Sequence, residues 1–243
     1  MSERLDELGK ILDEVKGSDS ISLDTRKRFW RLVRQIKREH DPNLDEIKVT
    51  TEIRNIMFNE RTANVYSLRG YVIATTILGV LFSAMYIYAC LIQVSWFNIL
   101  SWTIFDILVI IVRFFGIFIA IAFFYPYGRL IGGAVFGIRF DGMYFSHQKE
   151  PGLKIEYESF LKATPSNRKW LFFVSGLWTF LTALTLAIIG FILAGDFLGI
   201  ILCGFFVCFY GYVLGTGSPS NSSGEMGHYN REKKIEAAWK KKE

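Results

Sequence analysis

From Tyr71 to Val94 the chain runs for 24 residues without an Asp, Glu, Lys or Arg. A helix rises about 1.5 Å per residue and a hydrocarbon core is about 30 Å thick, so this stretch is long enough to cross a bilayer. Three more apolar stretches follow, at 103–138, Trp170–Gly195 and Phe197–Gly215. In lipid every backbone polar group must find its partner within the segment or in a closed barrel, and runs this long and uniformly apolar are therefore read as helices. The expected fold is an all-α integral membrane protein with four transmembrane helices, at about 71–94, 103–125, 170–195 and 197–215. Composition agrees, since 51% of the 243 residues are hydrophobic and 16% aromatic, too apolar for an ordinary soluble domain.

The rest of the chain is read as lying outside lipid. Residues 1–70 hold 14 Lys/Arg and 13 Asp/Glu and are expected to form a helical module. Leu5, Leu8, Leu12 and Val15 recur at helical spacing. A second helix, capped by Ser22 or Asp24, carries Phe29, Val33 and Ile36 on one face. A third over 44–61 carries Ile47, Ile53, Ile56 and Met57. Between the second and third spans, the segments 138–145 and 153–157 alternate apolar and polar residues around Pro151-Gly152, which predicts a β-hairpin over 138–158. The tail, 217–243, begins with a glycine- and serine-rich stretch and turns helical and charged from about residue 228.

The distribution of Lys and Arg sets the expected orientation. The 126–169 loop holds seven and the tail six, whereas the 95–102 and 195–196 turns hold none. Both termini and the middle loop are therefore expected on the cytosolic side, and the two Trp of the 95–102 turn fit the opposite interface. The basic residues are interleaved with acids rather than gathered in a stripe, so nucleic acid is not an expected partner. Cys90, Cys203 and Cys208 lie in apolar runs and read as small buried hydrophobes, not as a disulfide framework.

Two places in the second apolar stretch carry residues that lipid disfavours. Asp106 and Arg113 stand seven apart, on one helix face, and a charge near mid-bilayer costs roughly 2.5–3.5 kcal/mol even on the gentler scale. They form either an ion pair within the bundle or the wall of a polar pocket. Further on, Phe124-Tyr125-Pro126-Tyr127-Gly128-Arg129 combines a helix breaker, two Tyr, an Arg and a small residue. As one helix, the 36 residues of 103–138 would be about 54 Å long. Two registers are open. In one, 103–124 spans and Pro126 begins a separate interfacial helix. In the other a single helix runs through, and Pro126 frees the carbonyl of Ala122.

The order of these features resembles the site-2 protease family of intramembrane zinc metalloproteases. There an H-E-x-G-H type motif on the first core helix is followed by small residues and a G-[IV]-[KR] strand entry. Here Tyr125-Pro126-Tyr127-Gly128-Arg129 and then Gly137-Ile138-Arg139 share that layout. Pro165-x-x-Arg168 followed by Ser175-Gly176 is similar to the lead into the family's second core helix. The resemblance covers about residues 103–195. It implies a proteolytic scaffold but not its chemistry. The positions of the two zinc ligands are Tyr125 and Arg129, and the position of the general base is Pro126. A protonated Arg does not bind zinc and Pro does not move a proton. The family's late Asp beside Gly-Gly has its nearest counterpart in Gly224-Glu225-Met226-Gly227-His228, a weak match. No metal site and no cofactor is expected.

The resulting expectation is a multi-pass membrane protein, not an enzyme. It is a non-catalytic relative of the site-2 proteases that binds transmembrane segments of partner proteins, with Tyr125, Pro126, Tyr127 and Arg129 near the guest and Asp106 and Arg113 deeper. The alternatives are a transporter or channel subunit using Asp106 and Arg113, and a structural component that forms homo-oligomers through its small-residue seams.

Overall fold

The computed structural model describes residues 3–18, 20–60, 62–94, 102–146, 151–219 and 224–241. The turn expected at 95–102 (up to residue 101), the hairpin tip at 147–150 and residues 220–221 of the glycine- and serine-rich stretch lie outside the described residues. The chain divides into two compact units, one made of Met1–Tyr71, Gly133–Leu171 and His228–Glu243, the other of Val72–Gly132 and Phe172–Gly227.

The first unit begins with three helices, α1 (Glu3–Lys16), α2 (Leu23–Ile36) and α3 (Leu44–Asn59). Ser22 caps α2 by accepting from the Thr25 amide at 3.1 Å, and Asn43 caps α3 through the Asp45 amide at 2.8 Å. Leu8, Ile11 and Val15 bury against the same core as Phe29, Leu32, Val33, Ile36, Ile47, Ile53 and Met57. The face of α1 is thus centred on Ile11, and Leu12, counted in the expected stripe, is only half-buried. Arg4 ties α1 to α3 and to the segment just after α2, donating to Glu39 at 2.5 and 2.8 Å and to the buried Glu46 at 2.5 and 2.9 Å.

Residues 1–70 are not all helical. Thr62–Tyr66 forms β1, which pairs antiparallel with β2 (Phe140–Ser146), and β2 pairs with β3 (Pro151–Ile155). The expected hairpin is therefore two strands of a three-stranded sheet in the order β1-β2-β3. Gly142 permits the third strand, because a Cβ there would lie 2.6 Å from the Tyr66 carbonyl oxygen. A short helix, α6 (Tyr157–Lys162), follows and buries Tyr157, Phe160 and Leu161.

Arg168 is the hub of this unit and is fully enclosed. Its Nε donates to Glu232 at 2.9 Å, Nη1 to the Ala163 carbonyl at 2.5 Å, and Nη2 to the Lys37 carbonyl at 2.9 Å. Lys37 Nζ meets the other oxygen of Glu232 at 2.5 Å and lies 4.5 Å from the centre of the Phe160 ring. Burial pushes Glu232 up, but Lys37 and Arg168 together pull it below the usual carboxylate range. One guanidinium thus satisfies the C-terminal carbonyls of two helices and one carboxylate of a third, α9 (Gly224–Lys240).

The second unit holds the long apolar helices: α4 (Leu68–Cys90), α5 (Ile104–Phe136), α7 (Pro165–Ala194) and α8 (Leu198–Thr216). All four are long and apolar enough to cross a membrane. Most of each helix faces outward, with Ile77, Leu81, Phe105, Phe118, Ile192, Ile201 and Phe205 among the exposed apolar side chains. Such a surface requires an apolar solvent, and the chain is a multi-pass membrane protein. The interior is a narrow seam of Tyr86, Cys90, Ile117, Ala120, Ile121, Ala183, Leu186, Ala187 and Cys203. Cys90 and Cys203 are packed there as small hydrophobes, while Cys208 is exposed. The expected close-packing face of the third span, Ser175, Gly176, Thr179 and Ala183, is buried throughout. The second stretch follows the through-running register: α5 continues to Phe136 with Pro126 inside it.

Candidate functional site

Two polar clusters are enclosed in the second unit, and both are built around an Arg of α5. In the first, the helical spacing of Tyr125 and Arg129 puts them on one face of α5. Glu225, in the first turn of α9, receives both. Arg129 donates to its Oε1 from Nε at 2.8 Å and from Nη2 at 2.6 Å, and the Tyr125 hydroxyl donates to the same oxygen. A carboxylate in the first turn also interacts favourably with the helix dipole of α9. The Arg129 guanidinium lies 5.7 Å from the Tyr125 ring centre, so the three side chains form one stacked, charge-assisted group. Glu225 Oε2 and Ser175 Oγ are buried and have no hydrogen-bond partner among the described residues.

The backbone around this group explains why α5 needs its unusual residues. Pro126 lacks an N–H and so cannot serve the carbonyl one turn back. Two residues before Pro126, the Phe124 carbonyl accepts from Trp178 Nε1 at 3.1 Å. Gly128 lets α7 approach, since a Cβ there would stand 2.8 Å from both Ser175 Cα and Trp178 Cβ. Tyr127 turns the other way, and its hydroxyl donates to the Val72 carbonyl at 3.1 Å and contacts the Thr76 hydroxyl. Tyr127 therefore joins α5 to α4 and stands apart from Tyr125 and Arg129.

The second cluster sits at the other end of α5. Arg113 and Asp196 are both fully buried, with Nη1 3.4 Å from Oδ1. The Tyr86 hydroxyl donates to Asp196 Oδ2 at 2.9 Å. Arg113 also donates from Nε to the Ala89 carbonyl at 3.2 Å and from Nη2 to the Ile92 carbonyl at 2.5 Å. These carbonyls lie at the C-terminal end of α4, where that of Ala89 also accepts from the Ile92 amide at 3.2 Å. Asp196 is held in the α7–α8 turn by Gly195, whose φ of 58° is left-handed and whose N–H donates to the Phe191 carbonyl at 2.8 Å.

Asp106 does not belong to this cluster. Its carboxylate accepts from the Thr103 amide at 2.8 Å and the Thr103 hydroxyl at 2.7 Å. It caps the start of α5, where free N–H groups await a carboxylate, two turns from Arg113. The partner of Arg113 is Asp196, which the sequence reading treated only as a turn marker. A signal for it exists: between 71 and 125 and between 170 and 216, Asp106, Arg113 and Asp196 are the only charged residues. A buried cation with two candidate anions, one of them at a helix start, points to the other.

The resemblance to zinc proteases brings a metal into question, and these side chains do not fit one. The three convergent groups are a phenol, a guanidinium and a carboxylate, and the carboxylate already faces a fixed positive charge. Among the described residues no three His, Cys, Asp or Glu side chains are grouped as metal ligands. No protein-family model matches the chain, and no curated protein or solved structure is significantly similar to it.

Proposed function

We propose that this membrane protein is a non-catalytic relative of the site-2 proteases that holds the transmembrane segment of a partner. The observation that carries the reading is the convergence of Tyr125 and Arg129 on one carboxylate oxygen of Glu225. These are the two ligand positions of the resemblance and the weak counterpart of its third. In this reading a guanidinium supplies the positive charge that a metal supplies in the proteases, so the scaffold keeps its closure without cleavage. Ser175 and Gly176, also part of the resemblance, lie in the same place: Gly176 faces Met226 and Glu225.

A lipid-facing groove beside this group gives a guest helix a place to lie. It is lined by Phe124, Trp178, Leu181, Thr182, Thr185 and Leu186, with a volume of about 290 Å³. Its two hydroxyls are satisfied by their own helix, Thr182 on the Trp178 carbonyl at 3.0 Å and Thr185 on that of Leu181 at 2.9 Å. The groove thus offers an apolar wall suited to an apolar helix. The Lys/Arg distribution supports a cytosolic side for both termini and the 126–169 loop. Less supports a solute path at Arg113, because its donors are taken up by Asp196 and two helix-end carbonyls.

A photo-crosslinking residue at position 182 in native membranes tests the reading against one at position 201 on the outer face of α8. A discrete adduct with a second membrane protein from 182 alone is expected. Equal, diffuse labelling of lipid from both positions sinks guest binding, and stoichiometric zinc in the purified protein sinks the metal-free scaffold.

A further inference from the structure

The first unit contains a cleft that the membrane reading does not use. It has a volume of about 270 Å³ and is lined by Arg26 and Trp30 of α2, Arg54, Met57 and Phe58 of α3, Thr62 of β1 and Tyr144 of β2. Three rings form its walls: Tyr144 meets Phe58 edge-on with centroids 4.7 Å apart, and Trp30 is 44% exposed. Large aromatic side chains left open beside a cavity leave apolar surface in water that a ligand would cover.

The charges around the cleft do not balance. Arg26 is paired with Glu60, and Lys154 stands 4.0 Å from Asp141. Arg54 has no carboxylate within ion-pair distance among the described residues. Its guanidinium is held instead between two rings, 4.8 Å from the centre of Phe58 and 5.3 Å from that of Tyr157. Its Nη1 is buried without a hydrogen-bond acceptor among the described residues. Lys154 adds a second cation on the Phe58 ring, 5.2 Å from its centre. Among the described residues, the three cations Arg26, Arg54 and Lys154 thus stand near two carboxylates, Glu60 and Asp141. Burial also pulls Arg54 below the usual guanidinium range, with Tyr157, Tyr144 and Asp141 opposing it. An enclosed guanidinium normally has its fork filled, as those of Arg4 and Arg168 are in this unit.

We infer that this cleft binds a small organic anion, a carboxylate or phosphate monoester on a flat apolar body, with its charge at Arg54 and its body against Trp30, Phe58 and Tyr144. A volume of this size holds a ligand at the small end of the usual range. Both anionic headgroups suit a guanidinium, so the experiment separates them.

The full chain in detergent is titrated with benzoate, phenyl phosphate, inorganic phosphate and benzamide; the aromatic probes are followed by saturation-transfer NMR and inorganic phosphate by phosphorus NMR line broadening. Benzoate or phenyl phosphate is expected to bind, and the tighter of the two names the headgroup. Benzamide, the same shape without charge, is expected to bind at least about tenfold more weakly, and inorganic phosphate, lacking the ring, likewise. Arg54→Met is expected to abolish the difference between benzoate and benzamide, and Arg54→Lys to retain part of it. Trp30→Ala, at an exposed position, is expected to weaken the anion several-fold while the circular dichroism spectrum stays unchanged, so the proposal remains testable where Arg54→Met fails to fold. Equal binding of benzoate and benzamide, no binding of either aromatic anion, or unchanged affinity in Trp30→Ala overturns it.

Discussion

Arg129 and Glu225, 96 residues apart in sequence, meet through two nitrogens on one carboxylate oxygen, at 2.8 and 2.6 Å. The contact joins the helix that carries Pro126 to the first turn of the C-terminal helix. Removing one partner of an enclosed ion pair leaves the other uncompensated. Glu225→Gln is expected to lower stability by about 2–4 kcal/mol, read as a fall in the thermal midpoint of the detergent-solubilised protein. Arg129→Met is expected to fall similarly. Combining the two is expected to cost less than the sum, as coupled residues do.

The same convergence predicts a gain of chemistry. Tyr125→His with Arg129→His places two imidazoles at i, i+4 facing the Glu225 carboxylate, a ligand set suited to zinc. The double variant is expected to retain about one zinc per chain after dialysis, measured by elemental analysis, and Glu225→Ala in that background to release it. A double variant that retains no more zinc than the parent chain would show that the three positions do not share a site.

Arg113→Leu and Asp196→Leu each strand a buried charge, at an expected cost of about 3–5 kcal/mol. The double variant exchanges the pair for apolar side chains and is expected to recover most of the loss. Thermal unfolding of the four proteins in one detergent checks this. A double variant no better than the singles would mean that the two carbonyl contacts at the end of α4 matter more than the pair.

Lys37 makes the first unit more stable in mild alkali than at neutral pH. Burial pushes it from 10.5 down to about 8, Arg168 works in the same direction, and Glu232 opposes both. The folded value lies below the unfolded one, so between about pH 8 and pH 10.5 the unfolded chain binds the proton more tightly. Stability from this group therefore rises with pH across that window and is least below it. Relative to Lys37→Met, the wild-type chain is expected to gain on the order of 2 kcal/mol from pH 8 to pH 10.5, read by denaturant unfolding at each pH.

Two glycines in the apolar helices predict opposite outcomes. Gly128→Ala drives a methyl group to 2.8 Å from Ser175 Cα and is expected to cost about 1–3 kcal/mol. Gly211→Ala meets nothing within 4 Å and is expected to be neutral or to stabilise by up to about 1 kcal/mol through helix propensity. Thermal midpoints of the two variants under the same conditions separate them.

What could be read from the chain followed its strongest physical constraint. The cost of charge in lipid marks the four spans, and it marks Arg113 as a residue in need of a partner. That partner escaped because Asp196 follows Gly195 and reads as an ordinary turn residue; only the scarcity of charge in 71–125 and 170–216 singles it out. The strand Thr62–Tyr66 was missed because five residues between a helix and a span show no resolvable period, and its pairing is made by Gly142, 76 residues or more away. Glu225 was noted, but nothing near it in sequence says that a carboxylate in a polar tail folds back to Tyr125 and Arg129. Pro126 left two registers open, because Pro suits both a first helical turn and a tolerated break within a membrane helix.

The Arg113–Asp196 contact also imposes an order on biogenesis. The cation on the second span emerges from the ribosome 83 residues before its counter-ion, on the order of ten seconds at ordinary synthesis rates. During that interval Arg113 has the Ala89 and Ile92 carbonyls of the first hairpin within reach but lacks its carboxylate. One ion pair thus ties the two hairpins together, and a chain truncated before Asp196 holds Arg113 without its carboxylate.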